Sequence, residues 1–325
     1  GNALVLKPSV ETPLATVEFA RLCARAGAPP GIVNVATGSG ATAGNALVAH
    51  PLVKKISFTG STDVGKAIQK LAAEQLKPVN LECGGKNAII VFADANLDQA
   101  AEAALFSGWV NTGQLCVSCS RLLVESEIAA EFERLLTAKA SKIRVGDPRN
   151  SDTLLGPMIT RAQMDRVLQY LQLGPEEGCR VVLGGGRLEM SGACSGGWWV
   201  EPTLLAGVRP EMRVGCEEIF GPVLSILEFT GAAEAIEIAN SVDYGLSGSI
   251  WTSNVDRALQ MVDALDTGLL WVNTMLAGYP QIPLAPHKLS GTGVELGMEG
   301  LLPYLKRKSA VIASNASAPV GWSLG

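Results

Sequence analysis

The sequence predicts an α/β protein of two successive units, each a parallel sheet wrapped by crossover helices. Three observations predict it. Short β-like runs alternate with helical stretches along most of the chain, the pattern of strand–helix–strand units. The 325 residues suffice for about two domains at about 150 residues each. Hydrophobic residues make up 47% and charged residues 18%, enough apolar surface for sizeable packed cores.

In the first unit, Ala3–Leu6 reads as a strand, and Thr12–Ala26 has helical spacing. Pro29-Pro30-Gly31 breaks that helix. Ile32–Val35 is a second strand, followed by a Gly-rich turn and a helix near Thr42–Ala49. Lys55–Thr59 is a third strand, leading through Gly60–Gly65 into a helix that ends near Gln75. Val79–Leu81 is a fourth strand. Ligands in such sheets sit beyond the carboxyl ends of the strands.

A second series starts near residue 85. Asn87–Phe92 and Arg121–Glu125 are strands, with the Ala-rich helix Leu97–Val110 between them. Ile128–Ile143 is an amphipathic helix whose charges read as a solvated face, and Thr160–Leu173 is another helix. Gly184–Gly197 reads as a surface loop. Val223–Phe229, Gly248–Thr252 and Leu269–Val272 are strands, with helices near Ala232–Asn240 and Asn254–Ala264. The last 30 or so residues, rich in Gly, Ser and Pro, read as an extended tail.

Net charge is -5, with no basic stripe of the kind that nucleic-acid binders carry. A negatively charged cofactor stays compatible with this charge, because backbone N–H groups at helix starts hold phosphate. No apolar stretch approaches the ~20 residues that span a membrane. Seven scattered cysteines point away from a disulfide framework and towards reduced thiols in a cytoplasmic protein. The chain opens at Gly1 directly in an apolar strand-like run, so upstream sequence is expected.

Several segments could carry chemistry. Gly38-Ser39-Gly40-Ala41-Thr42-Ala43-Gly44 is one residue longer than the dinucleotide fingerprint G-x-G-x-x-G, and also reads as a plain tight turn. Gly60–Lys66 matches G-x-x-x-x-G-K, the start of a phosphate-binding loop. Ala67 stands where that loop needs a hydroxyl for Mg²⁺. Ala88–Asp94 mimics the apolar strand ending in an Asp that holds Mg²⁺, so nucleotide hydrolysis stays open on these residues. Cys116-Val117-Ser118-Cys119 fits a redox pair or half a zinc site. No second such pair appears and His50 and His287 are the only histidines, so no metal site is expected. Cys23, Cys179 and Cys194 are expected to be small buried hydrophobes.

Five ordered segments change the weighing: Leu6-Lys7-Pro8-Ser9, Phe58–Thr62, Leu81–Lys86, Asn111-Thr112-Gly113-Gln114-Leu115-Cys116 and Glu217–Pro222. Ser290-Gly291 with Glu295-Leu296-Gly297 follows them. Together they resemble the aldehyde dehydrogenase superfamily, over residues 1 to about 312. The resemblance implies a Rossmann-like parallel-sheet cofactor domain, incomplete at its N-terminus, over residues 1–84. It implies a second α/β catalytic domain over 85–289, carrying the nucleophilic cysteine, and a C-terminal segment and tail over 290–325.

The resemblance also implies site roles. Cys116 is the nucleophile that attacks an aldehyde, and Glu82 is the base that activates water to hydrolyse the resulting thioester. Lys7 contacts the adenosine ribose, and Gly40 and Gly44 lie near the adenine half. Gly60 and Ser61 open a helix that faces the pyrophosphate, and Gly65 permits close packing there. Glu218 hydrogen-bonds the nicotinamide ribose, with Phe220 packing nearby. On this reading the apparent phosphate loop serves a dinucleotide and needs no Mg²⁺ hydroxyl. Glu82 as a salt-bridge residue and Glu218 as an ion-paired helix-start carboxylate are the structural alternatives.

The implied reaction is oxidation of an aldehyde to a carboxylic acid with NAD, in a full-length homodimer or homotetramer with neither nucleic-acid nor membrane partners. Four departures from the family pattern bear on it. An Asn that helps hold the oxyanion belongs to upstream sequence, and losing one such donor costs about 10²–10³ in rate. Val10 stands where the family often has a ribose-binding Glu, which keeps NADP in play. Pro283-Leu284-Ala285-Pro286 replaces an aromatic Pro-Phe-Gly-Gly segment, and Cys83 replaces a usual Leu. A coenzyme-A-dependent acylating enzyme, a non-catalytic scaffold and a nucleotide hydrolase are the competing functions. Retention of Glu82 favours water as the acyl acceptor.

Overall fold

The computed structural model of the chain describes residues 1–312. The first unit contains β1 (Leu4–Leu6), α1 (Leu14–Arg25), β2 (Val33–Val35), α2 (Asn45–Ala49), β3 (Ile56–Thr59), α3 (Thr62–Ala73) and β4 (Val79–Glu82). The second continues with β5 (Ala88–Val91), α4 (Leu97–Trp109), β6 (Arg121–Glu125), α5 (Ala129–Ala140), α6 (Arg161–Glu176), β7 (Arg180–Leu183), β8 (Thr203–Ala206), α7 (Arg213–Cys216) and β9 (Val223–Phe229). It ends with α8 (Gly231–Asn240), β10 (Tyr244–Gly245), β11 (Ser247–Trp251), α9 (Val255–Ala264), β12 (Leu269–Val272), β13 (His287–Lys288), β14 (Gly291–Thr292) and α10 (Gly297–Leu301). The mixed α/β class expected from the alternation is the one observed. Among the described residues no helix is long and apolar enough to cross a membrane.

The second unit is built on a seven-stranded sheet of order β12-β11-β5-β6-β9-β8-β7, parallel except for β7. Its inner strands are apolar almost throughout because helices cover both faces. Ala88, Ile90 and Phe92 face a core shared with Met164 and Val167 of α6, Ile238 of α8 and Met261 of α9. Ile89 and Val91, one residue out of phase, face a second core with Ala101 and Ala104 of α4 and Phe132 and Leu136 of α5. Helix starts are fixed by polar caps. Asn96 accepts from the Gln99 N–H at 3.2 Å, Thr160 from Gln163 at 3.2 Å and Asn254 from Arg257 at 3.1 Å.

The first unit splits into two small sheets. β1 and β2 pair in parallel. β3 and β4 pair in parallel and β14 adds to β4 antiparallel, with Gly291 opposite Glu82. This corrects the expected extended tail. Residues 291–292 form a strand and 297–301 a helix, while the tail beyond residue 312 lies outside the described residues. The two-residue strand has no periodicity to read, and its pairing is non-local. β7 and β8 are not among the expected elements: β7 is a part-exposed strand at the sheet edge, and it pairs with β8 antiparallel through a register shift. Ser290 joins the two units. Its hydroxyl accepts from the Gly245 N–H at 3.0 Å, and its carbonyl accepts from the Cys83 N–H at 2.7 Å.

Candidate active site

The site is built where β4 runs into the loop before β5. Glu82 is the last residue of β4, and its carbonyl accepts from the Gly60 N–H at 3.0 Å, which ties it to the turn before α3. Its side chain is only 5% exposed, and one carboxylate oxygen, Oε1, has no hydrogen-bond partner. Burial, then the negative charge of Glu295, push its pKa up to about 8, and Asn80 pulls the other way. No salt bridge uses it among the described pairs, so the salt-bridge alternative fails. A buried carboxyl titrating near neutral pH is suited to accept a proton.

Gly84 and Gly85 follow, and the carboxylate of Glu218 lies against them. The Gly85 N–H donates to Glu218 Oε1 at 2.9 Å, and a Cβ on Gly84 would collide with that carboxylate. Burial raises the Glu218 pKa, opposed by the Gly85 N–H. Glu217, not Glu218, is the ion-paired residue, meeting Arg213 at 2.9 Å.

Cys116 approaches from the other side. A Cβ on Gly85 would stand 2.8 Å from the Cys116 carbonyl oxygen. Ahead of the cysteine, Asn111, Thr112 and Gly113 all lie in the left-handed region, with φ of 53°, 57° and 68°. Two of the three carry side chains, so the turn is held by its surroundings. Gly113 has no room for a side chain against the Gly221 carbonyl, and Thr112 Oγ1 donates to Gly156 O at 3.1 Å. Asn87 pins the loop from β5. Its Nδ2 donates to Cys116 O at 2.7 Å and Ser118 O at 2.9 Å, while its Oδ1 accepts from the Ser247 N–H at 3.0 Å. Burial raises the Cys116 thiol pKa, the Val117 N–H offsets part of this, and the charges of Glu218 and Glu82 raise it further.

Gly60, Ser61 and Gly65 shape the start of α3. Ser61 caps the helix by accepting from the Val64 N–H at 3.4 Å. Gly65 lets the helix lie on β4, since a Cβ there would stand 2.9 Å from Cys83 Sγ. Cys83 is buried, as expected of its small side chain. Lys7, Gly40 and Gly44 form a separate group at the carboxyl end of β1. Lys7 Nζ donates to Gly38 O at 3.3 Å and also to Pro8 O, and its stem passes over Gly44. The Gly40 Cα faces open space. Phe220 is exposed, with φ of 58°.

Other sequence readings are corrected here. Asp94 follows β5 in the seven-stranded sheet, whereas Gly60–Lys66 follows β3 in another sheet. Asp94 is occupied by Thr252, Ser253 and Arg257, at 2.8, 2.9 and 2.8 Å. The two halves of a nucleotide-hydrolase site are therefore not assembled. Cys119 is a core residue with no exposed surface, its Sγ 3.5 Å from Ala88 O and its pKa pushed to about 12 by burial, so it makes a poor redox partner for Cys116. Cys179 is buried, but Cys23 and Cys194 are part-exposed, contrary to expectation.

The aldehyde dehydrogenase family profile matches residues 1–310. The chain belongs to the aldehyde dehydrogenase family. It is 42% identical to retinaldehyde dehydrogenase 3 of Rattus norvegicus over 320 residues, covering 98% of this chain and 62% of that relative. It is 39% identical to the chloroplastic betaine aldehyde dehydrogenase of Amaranthus hypochondriacus over 322 residues, covering 99% of this chain and 64% of that one. Its fold superposes on an NAD-dependent aldehyde dehydrogenase from Sinorhizobium meliloti with a TM-score of 0.94 at 40% identity, over 99% of this chain and 62% of that one. Indole-3-acetaldehyde dehydrogenase in complex with NAD+ gives 0.92 at 40% identity, over 95% and 62%. The chain thus spans about 62% of the length of the first of these family relatives. Within the family frame, motif reading missed the residues that brace the site. Asn87, Gln163 and Arg166 act through contacts distant in sequence, and Ser290, although part of a quoted segment, was given no role there.

Proposed function

We propose that this chain carries the catalytic core for oxidising an aldehyde to a carboxylic acid with NAD⁺, through a thioester on Cys116 that Glu82 helps to hydrolyse. The observation that carries this is a loop-borne Cys116 whose thiol feels the charge of Glu82, a buried and partly unsatisfied carboxylate whose pKa is pushed up to about 8. The Cys116 thiolate adds to the aldehyde carbon, and the carbonyl π pair moves to oxygen. When bound, the dinucleotide supplies a hydride acceptor. Loss of hydride from the former aldehyde carbon leaves the thioester. Glu82 then takes a proton from water, the hydroxide oxygen adds to the acyl carbon, and the carbon–sulfur bond breaks to return the thiolate and release the acid.

The residues present fit a dinucleotide. The twelve-residue helix α3, capped at Ser61, offers its N-terminus to the pyrophosphate. Glu218 is placed for the nicotinamide ribose with Phe220 beside it, and Lys7, Gly40 and Gly44 serve the adenosine half. The NAD-bound relatives favour NAD⁺, and Val10 makes NADP⁺ a necessary second arm of any assay. The homodimer or homotetramer implied by the family belongs to the same proposal.

Stopped-flow detection of reduced nicotinamide, with a short and an aromatic aldehyde, tests the reading. A burst followed by turnover is expected. Cys116→Ser should abolish both phases, and Glu82→Gln should keep the burst and lose the turnover. Full turnover by Cys116→Ser would refute the proposal.

A further inference from the structure

We propose that Asn87, just before β5, is a positioning residue for Cys116: it holds the Cys116–Val117 peptide so that the Val117 N–H faces the Cys116 sulfur. The inference rests on the reading of Cys116 as the nucleophile. The carbonyl and the N–H of one planar trans peptide point in opposite directions, so fixing the first aims the second. Asn87 Nδ2 donates to Cys116 O at 2.7 Å, and the Val117 N–H at the far end of that peptide donates to the Cys116 sulfur. Burial raises the Cys116 thiol pKa, and this N–H is the largest influence that lowers it. A donor on the carbonyl also polarises the peptide and makes its N–H a stronger donor.

The amide fits only this placement. Asn87 is buried, its Nδ2 donates to both Cys116 O and Ser118 O, and its Oδ1 accepts from the Ser247 N–H. Turned over, it would set its oxygen against two carbonyls and its NH₂ group against an N–H, so its orientation is fixed. Gly85 makes the approach possible, because a Cβ there would stand 2.8 Å from both Asn87 Oδ1 and Cys116 O. Ser247 Oγ donates to Val117 O at 3.4 Å. Three successive carbonyls of the nucleophile loop, those of residues 116 to 118, are thus turned into the protein and taken by donors from two strands of the large sheet.

The test is the pH profile of Cys116 alkylation by iodoacetamide, read by peptide mass mapping without cofactor or aldehyde. Asn87→Leu removes both donors and adds no charge. It should slow alkylation about tenfold at neutral pH, and the lost rate should return at high pH, where the thiol ionises without help. Asn87→Ser keeps one hydroxyl donor on a shorter side chain and should fall between. Ser118→Ala cuts a different tie of the same loop, the bond from Ser118 Oγ to Ser107 O at 2.7 Å, and should leave the profile where it is. Glu82 and Glu218, the charged groups that raise the thiol pKa, are the same in every variant. Cys119 reports on the fold, since it is buried and should stay unlabelled while the domain is intact. The reduced-nicotinamide burst of Asn87→Leu should show the same displacement to higher pH.

An unchanged profile in Asn87→Leu would overturn the proposal. A rate lowered by the same factor at every pH would also overturn it, since Asn87 would then support the loop without acting on the sulfur. So would an equal displacement in Ser118→Ala, or labelling of Cys119 in both Asn87 variants, which would make Asn87 a support of the whole domain. A wild-type chain that oxidises no aldehyde would overturn the catalytic reading of Cys116 and the consequence for the burst, and the alkylation profile would still decide the placement.

Discussion

The charge on Glu82 couples the site to pH in two measurable ways. Its carboxyl is raised from 4.5 to about 8 by burial and by Glu295. Between those values the unfolded chain has released a proton that the native protein still holds, so stability falls as pH rises through that window and levels off above it. Urea unfolding across the window should show this slope, and Glu82→Gln should flatten it. An unchanged slope in the variant would mean that the carboxyl is not held protonated. The second consequence falls on Cys116, whose thiol is raised by burial and by both nearby carboxylates. Removing the Glu218 charge, in Glu218→Gln, should speed alkylation of Cys116 by iodoacetamide at neutral pH by about two- to tenfold, because more of it is thiolate, and Glu82→Gln should do the same only above about pH 8, where that carboxyl is ionised. Slower alkylation in both variants would contradict this electrostatic account.

Among the elements, α3 shows how competing magnitudes decide an outcome. Gly65→Ala gains about 0.5–1 kcal/mol of helix propensity. It also sets a Cβ 2.9 Å from Cys83 Sγ in a buried contact, and overpacking of that kind costs about 1–3 kcal/mol. The clash should win, with a net loss of about 1 kcal/mol in urea unfolding, and the double variant Gly65→Ala/Cys83→Ala should recover most of it. A stabilised single variant would show that α3 is free to move off β4. The same pair shows what was legible in the sequence. Gly65 lies in a contiguous motif, and its close-packing role was legible only through the family resemblance. Strands such as Val223–Phe229 and Leu269–Val272 were readable directly, because four to seven apolar residues bounded by turns carry their own signal. β14 carries none. Its two residues become a strand only because Gly291 meets Glu82, and local pattern does not encode that meeting. Asn87, Gln163 and Arg166 escaped notice for the same reason: an amide or guanidinium that serves a distant carbonyl looks like any surface polar residue.

At the scale of the molecule, the two units differ in how much they bury. The seven-stranded sheet has a core on each face. The β1–β2 pair is a two-stranded parallel sheet, and α1 beside it has no buried residue, with Leu14, Phe19 and Leu22 all exposed. Two strands with so little cover are marginal by themselves. Hydrogen exchange in this chain should therefore be fast over residues 4–35 and slow over β5, β6 and β9. Equal protection of the two regions would show cover for α1 that this structure lacks. Lys7 and Gly44 lie on the less protected part, so dinucleotide binding should slow exchange there more than in the seven-stranded sheet.

The pairing of β14 with β4 also has a meaning in time. During synthesis the strand that ends in Glu82 leaves the ribosome long before the residues that complete its sheet. Until Ser290 reaches the Cys83 N–H and Gly291 settles opposite Glu82, the carboxylate lacks one of its walls and stays wetter than in the finished fold. The nascent chain therefore carries its cysteine and its acid early, and acquires a base tuned to neutral pH only when one of its later segments docks.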